Sequence, residues 1–191
     1  MQITLPEKPI ALMLSGGFDS AVLLYLLCKS GAKNISCFTI EHMNSVYYAG
    51  LIVDLVQQKF PEVNIGHEVL EKTSDNMIQI INQGYGSVSR QGYFLFDAAT
   101  RNPSLEDLPD LPESRPPRAE NYPRKLMDCP FMEITKAEVI KIAHENDILD
   151  ELAAITHSCT ETNGQRCGEC WQCLERKISF AKNNLHDVGF Y

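Results

Sequence analysis

The chain has 191 residues, 44% of them hydrophobic and 22% charged, an ordinary mixture for one domain with a small appendage and long enough to bury roughly 70% of its unfolded surface. Seventeen basic against 25 acidic residues leave a net charge of −8, which opposes bulk attachment to nucleic acid or an anionic membrane. The composition excludes a disordered chain, a collagen and a disulfide miniprotein. The longest clean apolar stretch, 21–28, is far short of the roughly 20 residues that span a bilayer, so a cytoplasmic protein is expected.

Residues 8–14, Lys-Pro-Ile-Ala-Leu-Met-Leu, read as a buried strand. A Ser-Gly-Gly turn follows, and Val22, Leu23, Leu26 and Leu27 predict a helix over 19–29 that Gly31 can end. Residues 34–40 form a second strand, 45–59 a helix stopped by Pro61, and 64–70 a third strand. Ser74 can cap a helix running to about Gly84, and 93–96 is a fourth strand. The stretch 100–125, with six prolines and many charges, reads as a long loop over one end of the sheet. Residues 129–134 predict another short strand. Thr135 and Glu138 have capping-box spacing for a helix over 135–146. A further turn or two over 148–155 and a last helix over 174–183 complete the chain.

This alternation implies an α/β fold: a Rossmann-like parallel sheet with helices on both faces over 1–150, followed by a small C-terminal helical segment over 151–191. Ligands in such sheets sit beyond the carboxyl ends of the strands. The loop after the first strand is Ser15-Gly16-Gly17-Phe18-Asp19-Ser20. Its glycines let the backbone turn tightly and approach a ligand, and the amides opening the next helix suit phosphate. Ser15 and Ser20 can add hydroxyl hydrogen bonds. Asp19 beside phosphate calls for a cation between them, which Mg²⁺ would supply. The Gly-Lys-Ser/Thr ending of a Walker loop is absent.

Seven cysteines are present, and Cys159, Cys167, Cys170 and Cys173 lie as C-x7-C-x2-C-x2-C. Four thiolates so spaced suit tetrahedral Zn²⁺ in a closed structural site, with an iron–sulfur cluster as the minor alternative. Gly164 and Gly168 permit the chelate turns, and His157 reads as a neighbour of the site. Cys28, Cys37 and Cys129 fall in apolar runs and read as core.

The glycine loop resembles the Ser-Gly-Gly-x-Asp-Ser signature of the PP-loop ATP pyrophosphatases. Together with the cysteine spacing, and with Lys136 and Arg176 at matching positions of the 129–139 and 170–176 stretches, the chain resembles the QueC family of 7-cyano-7-deazaguanine synthases. The resemblance covers about 1–70 and 126–182. It implies ATP and Mg²⁺ at Ser15, Gly16, Gly17, Phe18, Asp19 and Ser20, and Zn²⁺ on the four cysteines. It further implies catalysis by Asp19, Lys136 and Arg176 on a deazapurine acid and ammonia, through an adenylated intermediate. Glu41, His42 and Met43 follow the second strand, where a PP-loop enzyme meets adenine and ribose, although a lone loop histidine also reads as polar surface; Arg101, Arg115 and Arg118 read as solvated loop charges first and as groups that could close over phosphates second.

Residues 71–125 lack the family's Gly-Arg-Asn and Asp-x-Ser-Gly-Tyr-Pro-Asp-Cys segments. A second reading therefore keeps the ATP site and changes the acceptor to a protein or nucleic-acid partner. A sulfur transferase using Cys129 and a zinc-stabilised binding module are weaker alternatives. The sequence leaves a homodimer open.

Overall fold

Short apolar runs separated by helices fold into a five-stranded, all-parallel sheet of order β3-β2-β1-β4-β5. The computed structural model describes residues 1–74, 77–101, 127–161 and 165–189. The elements are β1 (Ile10–Met13), α1 (Phe18–Lys29), β2 (Asn34–Ile40), α2 (Ser45–Lys59), β3 (Asn64–Leu70), α3 (Met77–Arg90), β4 (Phe94–Phe96), β5 (Met127–Asp128), α4 (Lys136–Glu145), α5 (Leu149–Ile155) and α6 (Trp171–Lys182). One register line crosses the sheet as His67, Cys37, Leu12, Phe96 and Asp128. The winding direction reverses between β1 and β4, which opens a crevice at the carboxyl ends of these strands.

Alternation along β1 divides the core. Ile10, Leu12 and Leu14 join a large cluster with α1, α2, α4, α5 and Phe180 of α6. Ala11 and Met13 face the other way, toward Val88 of α3. Helices thus cover both faces, as expected. Helix α1 is the centre of the larger layer, with Ala21, Val22, Leu23, Leu24 and Leu27 wholly buried. It is apolar nearly all round because it is enclosed rather than amphipathic.

Three boundaries differ from expectation. Helix α3 does not stop at Gly84 but continues to Arg90. A Cβ on Gly84 would lie 2.9 Å from Ile40 Cδ1, so this glycine serves close helix–sheet approach instead of ending the helix. The strand expected over 129–134 is Met127–Asp128. Residues 129–134 turn, with Met132 N–H donating to the Cys129 carbonyl at 3.0 Å and Ile134 N–H to that of Phe131 at 3.0 Å. Pro130 has no amide for a ladder. Helix α6 starts at Trp171, with Cys170 as its N-cap, so the last cysteine lies in its first turn. The proline-rich segment expected to be a loop lies, from 102 to 126, outside the described residues, and so do Arg115, Arg118 and Gly164.

Candidate active site and cysteine cluster

The crevice is a cleft of about 400 Å³ above β1, β2 and β4. The Ser15–Ser20 loop forms its floor. Gly16 takes φ +79, and a Cβ there would lie 2.9 Å from the Ser45 carbonyl oxygen and 3.1 Å from Tyr48 Cβ. Only glycine fits that backbone and that contact. Gly17 opens α1 without a side-chain cap, so no capping group takes the helix's first amides, which point at an anion's natural position. Ser20 Oγ donates to the Gly17 carbonyl at 3.1 Å and accepts from Ser15 N–H at 3.3 Å. The two serine hydroxyls lie 3.1 Å apart. The loop is therefore held in shape by its own side chains.

Asp19 lies in the first turn of α1 and Lys136 in the first turn of α4. The Lys136 ammonium donates to Asp19 Oδ2. The lysine is 5% exposed, and among the described residues it is the one Lys or Arg on the cleft wall. The capping box expected at Thr135 positions it: Thr135 N–H donates to Glu138 Oε2 at 2.7 Å and the Thr135 hydroxyl donates at 3.0 Å. The backbone donation holds the Glu138 carboxyl below its ordinary pKa, which suits an acidic group at a helix start. Asp19 Oδ1 is buried with no hydrogen-bond partner among the described residues. A buried carboxylate oxygen without a hydrogen-bond partner, in the uncapped first turn of α1, fits Mg²⁺.

One expected residue takes another place. Arg176 is absent from the cleft wall and fully buried. Its guanidinium makes a two-pronged pair with Asp187, at 2.6 and 2.8 Å, and donates to the Ala153 carbonyl at 2.8 Å and Thr156 Oγ1 at 3.0 Å. Phe18 and Phe180 lie against its flat face. It is thus spent on fastening α5, α6 and the C-terminal segment, and its donors do not reach the cleft. Phe18 lines the cleft as expected, with its ring turned to the core, 1% exposed and edge-on to Phe180. Arg166 joins Arg176 on Asp187. Burial, then the neighbouring Arg176 charge, pushes its guanidinium down to about 10.

His42 and Met43 line the cleft, whereas Glu41 and Arg101 do not. His157 also lines it, donating its backbone N–H to the Gly16 carbonyl at 3.0 Å. Its ring stacks on Tyr48 with centroids 4.8 Å apart and planes 9° apart. Sequence reasoning missed Tyr48, Asp97, Trp171, Gln172 and Glu175, all on the wall. Asp97 had a usable signal as the residue after β4; Trp171 and Gln172 had one in lying between two cysteine ligands.

Those ligands converge. The sulfurs of Cys159, Cys167, Cys170 and Cys173 all lie within 4.8 Å of one another, with separations of 3.6 Å for 159–167, 4.0 Å for 167–173 and 3.9 Å for 159–170. A tetrahedral site with Zn–S near 2.3 Å has sulfurs about 3.8 Å apart, so the donor set and spacing fit Zn²⁺. Gly168 adopts φ +76 in the chelate turn, and Cys170 N–H donates to Cys167 Sγ at 3.2 Å. Burial raises the Cys170 and Cys173 thiols, so without a cation the cluster favours the protonated form. Burial also raises Cys28 to about 12 and Cys37 higher, as expected for core thiols. Cys129 packs in the smaller core cluster and is not on the cleft wall.

Known proteins match this architecture. The family model described as asparagine synthase matches residues 4–103, and that described as queuosine biosynthesis protein QueC matches residues 119–184. A 7-cyano-7-deazaguanine synthase of Prochlorococcus marinus strain AS9601 is 25% identical over an alignment of 228 residues, covering 94% of this chain and 96% of the relative. That of strain MIT 9301 is 33% identical over 78 residues, covering 41% of this chain and 32% of the relative. The NMN synthetase of Francisella tularensis shares the fold, with TM-score 0.55 and 13% identity over 95% of this chain and 79% of that one. Among the described residues no helix is long and apolar enough to cross a membrane. The glycine loop on its parallel sheet and the cysteine-bearing C-terminal part thus each have their counterpart: the chain belongs to the PP-loop family that the asparagine synthase model describes, and its C-terminal part is similar to QueC.

Proposed function

We propose that the chain converts 7-carboxy-7-deazaguanine and ammonia into 7-cyano-7-deazaguanine, driven by cleavage of ATP to AMP and pyrophosphate. What supports this reading is the Lys136–Asp19 pair inside the cleft, set above the uncapped start of α1, in a chain whose full-length relatives are 7-cyano-7-deazaguanine synthases.

A carboxylate is a poor electrophile. Its oxygen attacks the α-phosphorus, pyrophosphate leaves, and the acyl adenylate carries AMP as a good leaving group. Ammonia attacks the acyl carbon, AMP departs and a proton is lost, giving the amide. A second adenylation, on the amide oxygen, releases a second pyrophosphate, and loss of AMP and of both N–H protons gives the nitrile. The start of α1 would receive the phosphates, and the Lys136 ammonium would offset charge developing at the α-phosphate. Asp19 fixes that ammonium and would hold Mg²⁺ through Oδ1. Mg²⁺, when bound, would offset triphosphate charge, and Cys159, Cys167, Cys170 and Cys173 would hold a Zn²⁺ that ties the 157–160 loop to α6. Holding acid and α-phosphate in line replaces a bimolecular encounter, worth several kcal/mol.

The test is a mass-spectrometric product assay with the protein, Mg-ATP, ammonia and 7-carboxy-7-deazaguanine, with Asp19→Ala as control. Nitrile and AMP, both lost in the variant, are the expected result. Tight ATP binding without conversion would move the acceptor to another molecule and overturn the reading.

A further inference from the structure

We infer that the start of α6 is the acceptor-recognition element of the cleft, with Trp171, Gln172 and Ser158 forming a subsite for a planar heterocycle that presents N–H donors, the edge carried by a 2-amino-4-oxo pyrimidine ring. The inference rests on the proposed acceptor and names the residues that select it.

Two polar atoms that fold stability does not use carry the inference. Gln172 Oε1 and Ser158 Oγ are buried, line the cleft and have no hydrogen-bond partner among the described residues. A buried polar atom left unpaired costs free energy, and a ligand that pairs it removes that cost. Their origin in the chain explains their placement. Ser158 immediately precedes Cys159, and Trp171 and Gln172 sit between Cys170 and Cys173. The 159 and 170 sulfurs are 3.9 Å apart, so the cysteine cluster brings the two segments together and aims both at the cleft. The glycine loop, Asp19 and Lys136 line the same cleft, and the His157 N–H on the Gly16 carbonyl sets Ser158 beside that loop. A group held at Ser158 and Gln172 thus shares one cleft with the proposed phosphate site, as an acceptor must.

The chemistry of the pair is selective. An amide oxygen accepts from ring N–H and exocyclic amino donors, and an indole offers a broad stacking surface. A base lacking the 2-amino group leaves Gln172 Oε1 unpaired again, and sites built on hydrogen bonds reject such analogues strongly.

Trp171 is the one tryptophan of the chain, so in zinc-loaded protein its fluorescence reports on this subsite. Zinc-loaded protein is titrated with 7-carboxy-7-deazaguanine and with its analogue lacking the 2-amino group. Wild type is expected to show saturable change with about tenfold preference for the 2-amino compound, the worth of one neutral hydrogen bond. Gln172→Leu should lose that preference, and Ser158→Ala should bind the acid more weakly, with zinc content, thermal midpoint and ATP affinity by calorimetry kept in both. A purely structural role for either residue would move the thermal midpoint and leave the base preference alone. Unchanged preference in Gln172→Leu overturns the inference and spares the proposed function. If wild type binds ATP but neither base, the acceptor assignment fails and the subsite with it.

Discussion

Lys136 and Asp19 stand 117 positions apart in sequence, yet the ammonium of one rests on the carboxylate of the other at the adjoining starts of α4 and α1. Both are largely buried, at 6% and 19% side-chain exposure. Removing one partner strands the other charge. Lys136→Met should lower stability by about 3 kcal/mol and cut AMP formation by about a hundredfold or more. Denaturant melts and an AMP assay check both. Wild-type turnover in Lys136→Met would remove the lysine from the chemistry.

Arg176 should behave differently. Arg176→Met leaves Asp187 buried beside Arg166 alone and should cost about 3 kcal/mol or more in unfolding free energy. Activity per folded molecule and the KM for ATP should hold at low temperature, because the guanidinium points away from the cleft. A raised KM in fully folded protein would return Arg176 to the active site.

Gly16→Ala places a Cβ 2.9 Å from the Ser45 carbonyl at a φ of +79. A strained backbone of this kind costs about 1–3 kcal/mol. The proposed function places the phosphates on this loop, so the larger consequence should be loss of measurable ATP binding by calorimetry, with a modest drop in thermal midpoint. Retained affinity would place the nucleotide elsewhere.

Purified protein should carry about one zinc per chain by elemental analysis. Chelation should shift Trp171 fluorescence and lower the melting temperature, because the cluster joins the 157–160 loop to α6. Cys167→Ser should mimic chelation. Metal-free protein that melts like the purified form would exclude a structural zinc.

Burial lowers the His67 imidazole from its ordinary 6.5. Thr39 Oγ1 donates its proton to the Leu14 carbonyl at 2.7 Å, so at the 2.8 Å contact it is His67 Nε2 that donates. The fold favours the neutral ring. The unfolded chain therefore binds more protons as pH falls below 6.5, and stability falls with it until the folded-state pKa is passed. The contribution is complete above 6.5. His67→Gln should flatten this slope in urea midpoints measured across that range. An unchanged slope would assign it to other groups.

Local information was enough for much of this protein. Residues 34–40, 45–59 and 64–70 were bounded as observed, because a β-branched apolar run, a 3.6-residue apolar period and the Pro61 stop between helix and strand are all local properties of the chain. The glycine loop and the four cysteines were legible for a similar reason: backbone freedom and ligand spacing are properties of neighbouring residues. What only the tertiary structure decided was which distant groups meet. Arg176 and Lys136 look alike in sequence, two cations beside motif residues. Packing sends one to Asp187 and the other to Asp19, and no local pattern encodes that choice. Gly84 resembled a helix stop until Ile40 came within reach of its missing side chain. Gln172 and Ser158 carry no motif. Their placement on the cleft wall follows from sulfurs that converge only when α5, α6 and the loop between them fold against the sheet, since burial and coordination geometry act in space while the chain supplies only order.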